Sequence, residues 1–177
     1  MKTMKTLMIA AAMLISVSSA QAEPKLYVGA DLQRVQLKDT NIGENGLNAG
    51  GVHVGVRVNE NMSLELGTSK TLEGKASGIK TNNQNYTFDV IGHLPVTESK
   101  NFELLGSLGL VHSLSEVEVA GVSVKQDDLS WAVGAGAQYH LNENLAVRTL
   151  VRYEDVELKN TGSDSTLKYT VGLNYTF

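Results

Sequence analysis

LKYTVGLNYTF, residues 167–177, alternates without a break: Leu167, Tyr169, Val171, Leu173, Tyr175 and Phe177 are apolar, and Lys168, Thr170, Gly172, Asn174 and Thr176 stand between them. In a chain that is 42% apolar, one phase of such a pattern arises by chance about 0.0004 of the time. A side-chain period of two makes the stretch a strand with one apolar face. The solvent that this face meets decides what the protein is.

The other end of the chain supplies context. MKTMKT carries Lys2 and Lys5, LMIAAAMLISV (7–17) is an apolar run broken only by Ser16, and Ala20-Gln21-Ala22 offers small residues at the spacing of a cleavage site. This predicts a secretory signal peptide over 1–22 with cleavage after Ala22; a spanning helix would need about 20 apolar residues. Residues 23–177 then form one domain. Loss of Lys2 and Lys5 leaves 13 basic against 19 acidic residues, a net charge of −6, with no basic tract that would bind nucleic acid. There is no cysteine, which excludes disulfides and thiolate chemistry.

Seven more segments share the alternation of the C-terminus, and the pattern predicts strands near 25–35, 47–58, 62–70, 85–95, 101–112, 128–141, 145–155 and 166–177. The connections alternate in length. Asn59-Glu60-Asn61, the Pro95-containing turn to Lys100, and Asn142-Glu143-Asn144 are short, whereas QLKDTNIGEN and TLEGKASGIKTNNQ are long and polar. That asymmetry suits an all-β, eight-stranded antiparallel up-and-down barrel spanning a membrane, with VNENMSLELG and LNENLAVRTL as equivalent hairpins.

Charge fixes which face is which. The apolar parity, from Leu26, Val28, Ala30 and Leu32 onward, has no charged residue at its middle. The opposite parity collects Asp31, Arg57, Glu65, Asp89, Glu103, Arg148, Arg152 and Lys168, with His53, His93, His140 and eight glycines. Glycine suits the crowded inside of a small barrel, so the polar face is expected to be the lumen. Nine of the ten aromatic residues lie on the apolar parity, mostly near strand ends, as a membrane-interface girdle would place them; Tyr27 is the exception.

LYVGADL, SLELG, WAVGAGAQYHLNENLAVR and the terminal YTVGLNYTF resemble the small eight-stranded outer-membrane barrels of Gram-negative bacteria, of the OmpA/OmpX type and the opacity-protein-like group. The resemblance covers the whole mature chain. It implies that Val171, Leu173, Tyr175 and Phe177 form the sorting signal read by the barrel-assembly machinery.

Each candidate chemistry has a plainer alternative. The lumen charges could line an ion path, but the interior of eight strands is barely wider than its side chains, so a plug of paired charges is expected. His53, His93 and His140 are single positions without ligand spacing and read as hydrogen-bonding groups, not metal ligands. His112-Ser113 with Ser115 and Glu116 could supply a base and a nucleophile, although no motif of lipid A-modifying enzymes accompanies them. GVHVGV and GAGA lie within strands and precede no helix, so no phosphate loop is expected. SEVEVAGVSVKQD keeps strand alternation on both sides of Ala120-Gly121, which predicts a hairpin rising above the membrane with Val117, Val119, Val122 and Val124 as a possible partner surface.

The expectation is therefore a monomeric, porin-like but closed outer-membrane barrel, with periplasmic short turns, four outer loops, and surrounding lipid and lipopolysaccharide. Its role would be structural or adhesion-like, without cofactor or catalysis; a lipid A-modifying enzyme and a narrow passive pore are the alternatives. A peptidoglycan-binding domain beyond the last strand is not expected.

Overall fold

The structure, a computed structural model, describes residues 24–37, 47–71, 80–119, 122–158 and 162–177. The expected signal segment, with Ala20 and Ala22, lies outside them. Eight strands follow in chain order: β1 (Lys25–Leu37), β2 (Leu47–Asn59), β3 (Met62–Thr71), β4 (Lys80–Pro95), β5 (Phe102–Val119), β6 (Val122–His140), β7 (Leu145–Leu158) and β8 (Gly162–Thr176). Each pairs antiparallel with its sequence neighbour, and β1 pairs with β8 from Tyr27↔Thr176 to Leu37↔Thr166, which closes the barrel. Phe177 extends the seam, its backbone N–H donating to Leu26 O at 2.9 Å. Closure leaves neither terminal strand with an unpaired edge along this register, a requirement wherever lipid is the solvent.

Burial is inverted relative to a soluble domain. Leu32, Val52, Leu108, Val171 and Phe177 are outward and exposed, while Glu65, Asp89, Glu103, Arg148 and Lys168 are buried inside. The outward apolar band has its edge toward the long-connection ends of the strands, marked by Arg34, Lys70, Gln84, His112 and Asp127 on β1 and β3 to β6. Just below that edge lie Tyr86, Trp131, Tyr153 and Tyr169; Phe102, Tyr139, Tyr175 and Phe177 mark the opposite edge. Trp131 and Tyr153 lean together across β6 and β7 with ring centroids 6.1 Å apart, and Tyr175 meets Phe177 edge-on at 5.3 Å. Two aromatic rings bounding an apolar band fit the two interfaces of a bilayer.

The short connections are built from side chains that cap their own backbone. Asn59 Oδ1 accepts from Asn61 N–H, Asn142 Oδ1 accepts from the N–H groups of Asn144 and Leu145, and Asn61 Nδ2 donates to His93 O. In the turn after β4, Lys100 takes a φ of 54° and donates its N–H to Thr97 O. Strand lengths exceed the sequence expectation most in one region, while β7 runs on to Leu158 and β8 begins at Gly162. β4 begins at Lys80, and β5 and β6 pair to Val119↔Val122. The continued alternation there supplies ladder partners, so the hairpin outgrows the membrane band.

Candidate functional site

Inward parity brings the lumen side chains together, and the register sets their heights. Near the short turns, Arg57 on β2 donates to Glu103 on β5 (Nη2 to Oε1, 2.8 Å) and to Glu60 O. The same carboxylate lies 2.9 Å from His93 Nδ1 and 3.5 Å from His140 Nε2. At the rim, Lys100 donates to Glu60 at 2.9 Å and holds that carboxyl below the usual carboxylate range; both are exposed, so water screens the pair.

One layer higher, Arg148 on β7 crosses the lumen to Glu65 on β3 as a fork, Nη1 to Oε2 at 2.6 Å and Nη2 to Oε1 at 3.1 Å. Tyr27 OH donates to the same carboxylate at 2.9 Å. His53 stands beside them, with Asp31 Oδ2 3.2 Å from Nδ1 and Asn174 Oδ1 2.8 Å from Nε2. Higher still, Arg152 forks onto Asp89 at 2.7 and 3.1 Å, and Lys168 donates to Glu154 at 2.8 Å. Charge-assisted fork pairs of this kind are short and directional.

The eight lumen charges read from the sequence thus fall into three direct pairs, Arg57 with Glu103, Arg148 with Glu65, and Arg152 with Asp89, while Asp31 faces His53 and Lys168 faces Glu154. Glu154, buried on the inward parity, was not among the residues singled out from the sequence. Tyr27, noted only as an aromatic out of phase, turns out to hydrogen-bond the central carboxylate. His112 faces outward, with Nε2 against Asp127 Oδ1. Ser113, next along the strand, belongs to the opposite face, so these two do not converge. Side chains of Val117, Val119, Val122 and Val124 lie outside the described set; their backbones pair as Val117↔Val124 and Val119↔Val122.

A cavity of about 880 Å³ opens on the short-turn side, lined by Lys25, Arg57, His93, Glu103 and His140, and reaches Tyr27, Arg148 and Asn174. Asp89, Arg152 and Lys168 are absent from its lining. It stops at the central layer.

A closed antiparallel barrel with charged groups inside and a banded apolar exterior is a membrane-spanning β-barrel. The chain belongs to the family described as outer membrane protein beta-barrel domain, whose model matches residues 7–177, and its place is the outer membrane. Neisserial surface protein A is similar in structure at a TM-score of 0.72 and 16% identity, covering 86% of this chain and 97% of that one. The N-terminal barrel of Pseudomonas aeruginosa OprF gives 0.64 at 15%, covering 85% and 97%. Ail, the attachment invasion locus protein of Yersinia pestis, gives 0.60 at 19%, covering 89% and 100%. At such identities the likeness is one of fold. No curated protein matches by sequence.

Proposed function

We propose that this barrel is a non-catalytic, monomeric surface protein, closed to solutes, that presents its β4–β5–β6 ribbon to an extracellular partner. One observation carries the reading. β5 and β6 stay paired up to Val119↔Val122 and β4 joins them at Lys80↔Glu118, whereas β6 meets β7 only from Trp131↔Asp155 downward. Among the described residues, positions 122–130 of β6 therefore have no strand on the β7 side. A free edge of that length is a template for a partner strand. The forked lumen pairs and the dead-end cavity support closure. Insertion by the barrel-assembly machinery through Val171, Leu173, Tyr175 and Phe177 belongs to the same proposal, as does a signal peptide cleaved after Ala22.

The test replaces 116–125 by a tight Asn-Gly turn and compares adherence of expressing cells to immobilised extracellular matrix. Adherence should fall to that of cells lacking the protein while membrane levels stay constant; equal adherence would overturn the reading. The split of His112 from Ser113 favours no enzyme, and lipid A mass spectra should be identical with and without His112→Ala.

A further inference from the structure

We infer that the amides of Asn174 and Gln138 form a reversible relay, by which a proton bound at His53 in the central layer is registered at His140 on the cavity wall. The path is continuous. His53 Nε2 lies 2.8 Å from Asn174 Oδ1, Asn174 Nδ2 donates to Gln138 Oε1 at 3.0 Å, and Gln138 Nε2 lies 3.2 Å from His140 Nε2. His53 is buried and stands outside the cavity lining, whereas Asn174, Gln138 and His140 belong to it. Small residues open the way. His53 on β2 and Asn174 on β8 are both level with Gly29 on the intervening β1, and a Cβ at Gly29 would strike His53 Nε2 and Asn174 Oδ1. Asn174 is in turn level with Ala146 on β7, which is level with His140 on β6.

A ring nitrogen either carries a proton and donates or is bare and accepts, so the path has two directions. In one, His53 Nε2–H donates to Asn174 Oδ1, and Gln138 Nε2–H donates to a bare His140 Nε2. Asp31 Oδ2, 3.2 Å from His53 Nδ1, accepts the other ring proton, so His53 carries two. In the second direction both amides are reversed. Asn174 then donates to a bare His53 Nε2, Gln138 donates to Asn174, and Gln138 Oε1 accepts from His140 Nε2–H. Amide oxygen and nitrogen are nearly alike in size, so reversal needs no other movement. With both Nε2 atoms protonated, the two amides would meet donor to donor. Proton binding at one ring therefore opposes it at the other.

The surrounding charges give each direction its weight. His53 is faced by Asp31 and the Tyr27 ring from β1, by Glu65 from β3 with Oε2 3.8 Å from Nε2, and by Arg148 from β7 with Nη2 at 3.1 Å. A second proton on His53 matches two carboxylates, Asp31 and Glu65, with two cations; without it the layer holds one negative charge in excess. At the other end Glu103 Oε1 lies 3.5 Å from His140 Nε2 and favours a proton there, and His93 and Arg57 share that carboxylate. Imidazole is the side chain whose charge ordinarily changes between about pH 5 and 8, so acidity at the cavity is passed to the central layer. This inference goes beyond the surface role proposed above and does not rest on it.

The experiment follows the ring nitrogen shifts of histidine-labelled protein in detergent by NMR as pH is varied, since these shifts separate N–H from bare nitrogen. His140→Phe should raise the proton affinity of His53 about threefold or more, the scale of one hydrogen bond. In a Gln138→Leu background the same replacement should leave His53 unmoved, although the charges keep their places. Gly29→Ala, which blocks the contact of His53 with Asn174, should uncouple the rings as well, and His112→Phe, off the path, should leave both titrations unchanged. Heat-modifiable mobility on gels checks that each variant is folded. A His53 titration indifferent to His140→Phe would overturn the relay, and so would coupling that persists in the Gln138→Leu background, because it would then be Coulombic repulsion through space.

Discussion

Removing the guanidinium of Arg148 would leave the Glu65 carboxylate, 5% exposed, facing Tyr27 and His53 without its fork partner. Breaking a buried pair from one side costs about 3–5 kcal/mol in a dry site and less where water enters. Arg148→Ala should therefore lower the denaturant midpoint in detergent, Glu65→Gln should do so as well, and the double variant should lose less than the sum. Additive losses would mean that the two side chains do not interact. Gly55 tests the same layer sterically. A Cβ there would strike the Tyr27 ring, so Gly55→Ala should displace the ring from Glu65 at a cost of about 1–3 kcal/mol, whereas Gly50→Ala should be near neutral on thermal melting. Parity alone made the inward positions of Arg148, Glu65, Arg152 and Asp89 legible. It could not rank partners across the lumen, because β3 and β7 meet there only after closure.

The β5–β6 hairpin is where local pattern and membrane span part company. A strand of about 9–11 residues crosses a bilayer, yet β5 and β6 hold 18 and 19. The alternation of SEVEVAGVSVK was readable, but whether it continued as ladder depended on pairing across 120–121. With Ser115↔Gln126 and Glu116↔Lys125 in register, amides of the paired positions in 115–119 and 122–126 should exchange more slowly than those of an irregular loop, as hydrogen exchange in detergent would show. Uniformly fast exchange there would remove the ribbon on which the proposed partner docks.

At the scale of the whole molecule, closure of the barrel and the proposed plugging of its lumen are separate matters. Closure rests on β1 meeting β8, and Phe177 contributes its N–H to Leu26 O as well as an outward ring against Tyr175. Deleting Phe177 should reduce membrane insertion in cells more than it reduces the stability of protein already folded; normal membrane levels would refute this. The proposed plug rests on stacked layers. The cavity on the short-turn side reaches Arg148, and beyond it, outside the cavity lining, Arg152 pairs with Asp89 and Lys168 with Glu154. An ion crossing the lumen would have to displace both, so removing either alone should leave the path shut. The unmodified protein should give no stable conductance in a planar bilayer, and neither should Arg148→Ala with Glu65→Ala. Adding Arg152→Ala and Asp89→Ala to that variant should open a measurable conductance, provided that heat-modifiable mobility on gels shows the barrel still folded. Stable conductance in the unmodified chain would end the closed-lumen reading, and conductance after loss of the Arg148 layer alone would show that Arg152 and Asp89 obstruct nothing.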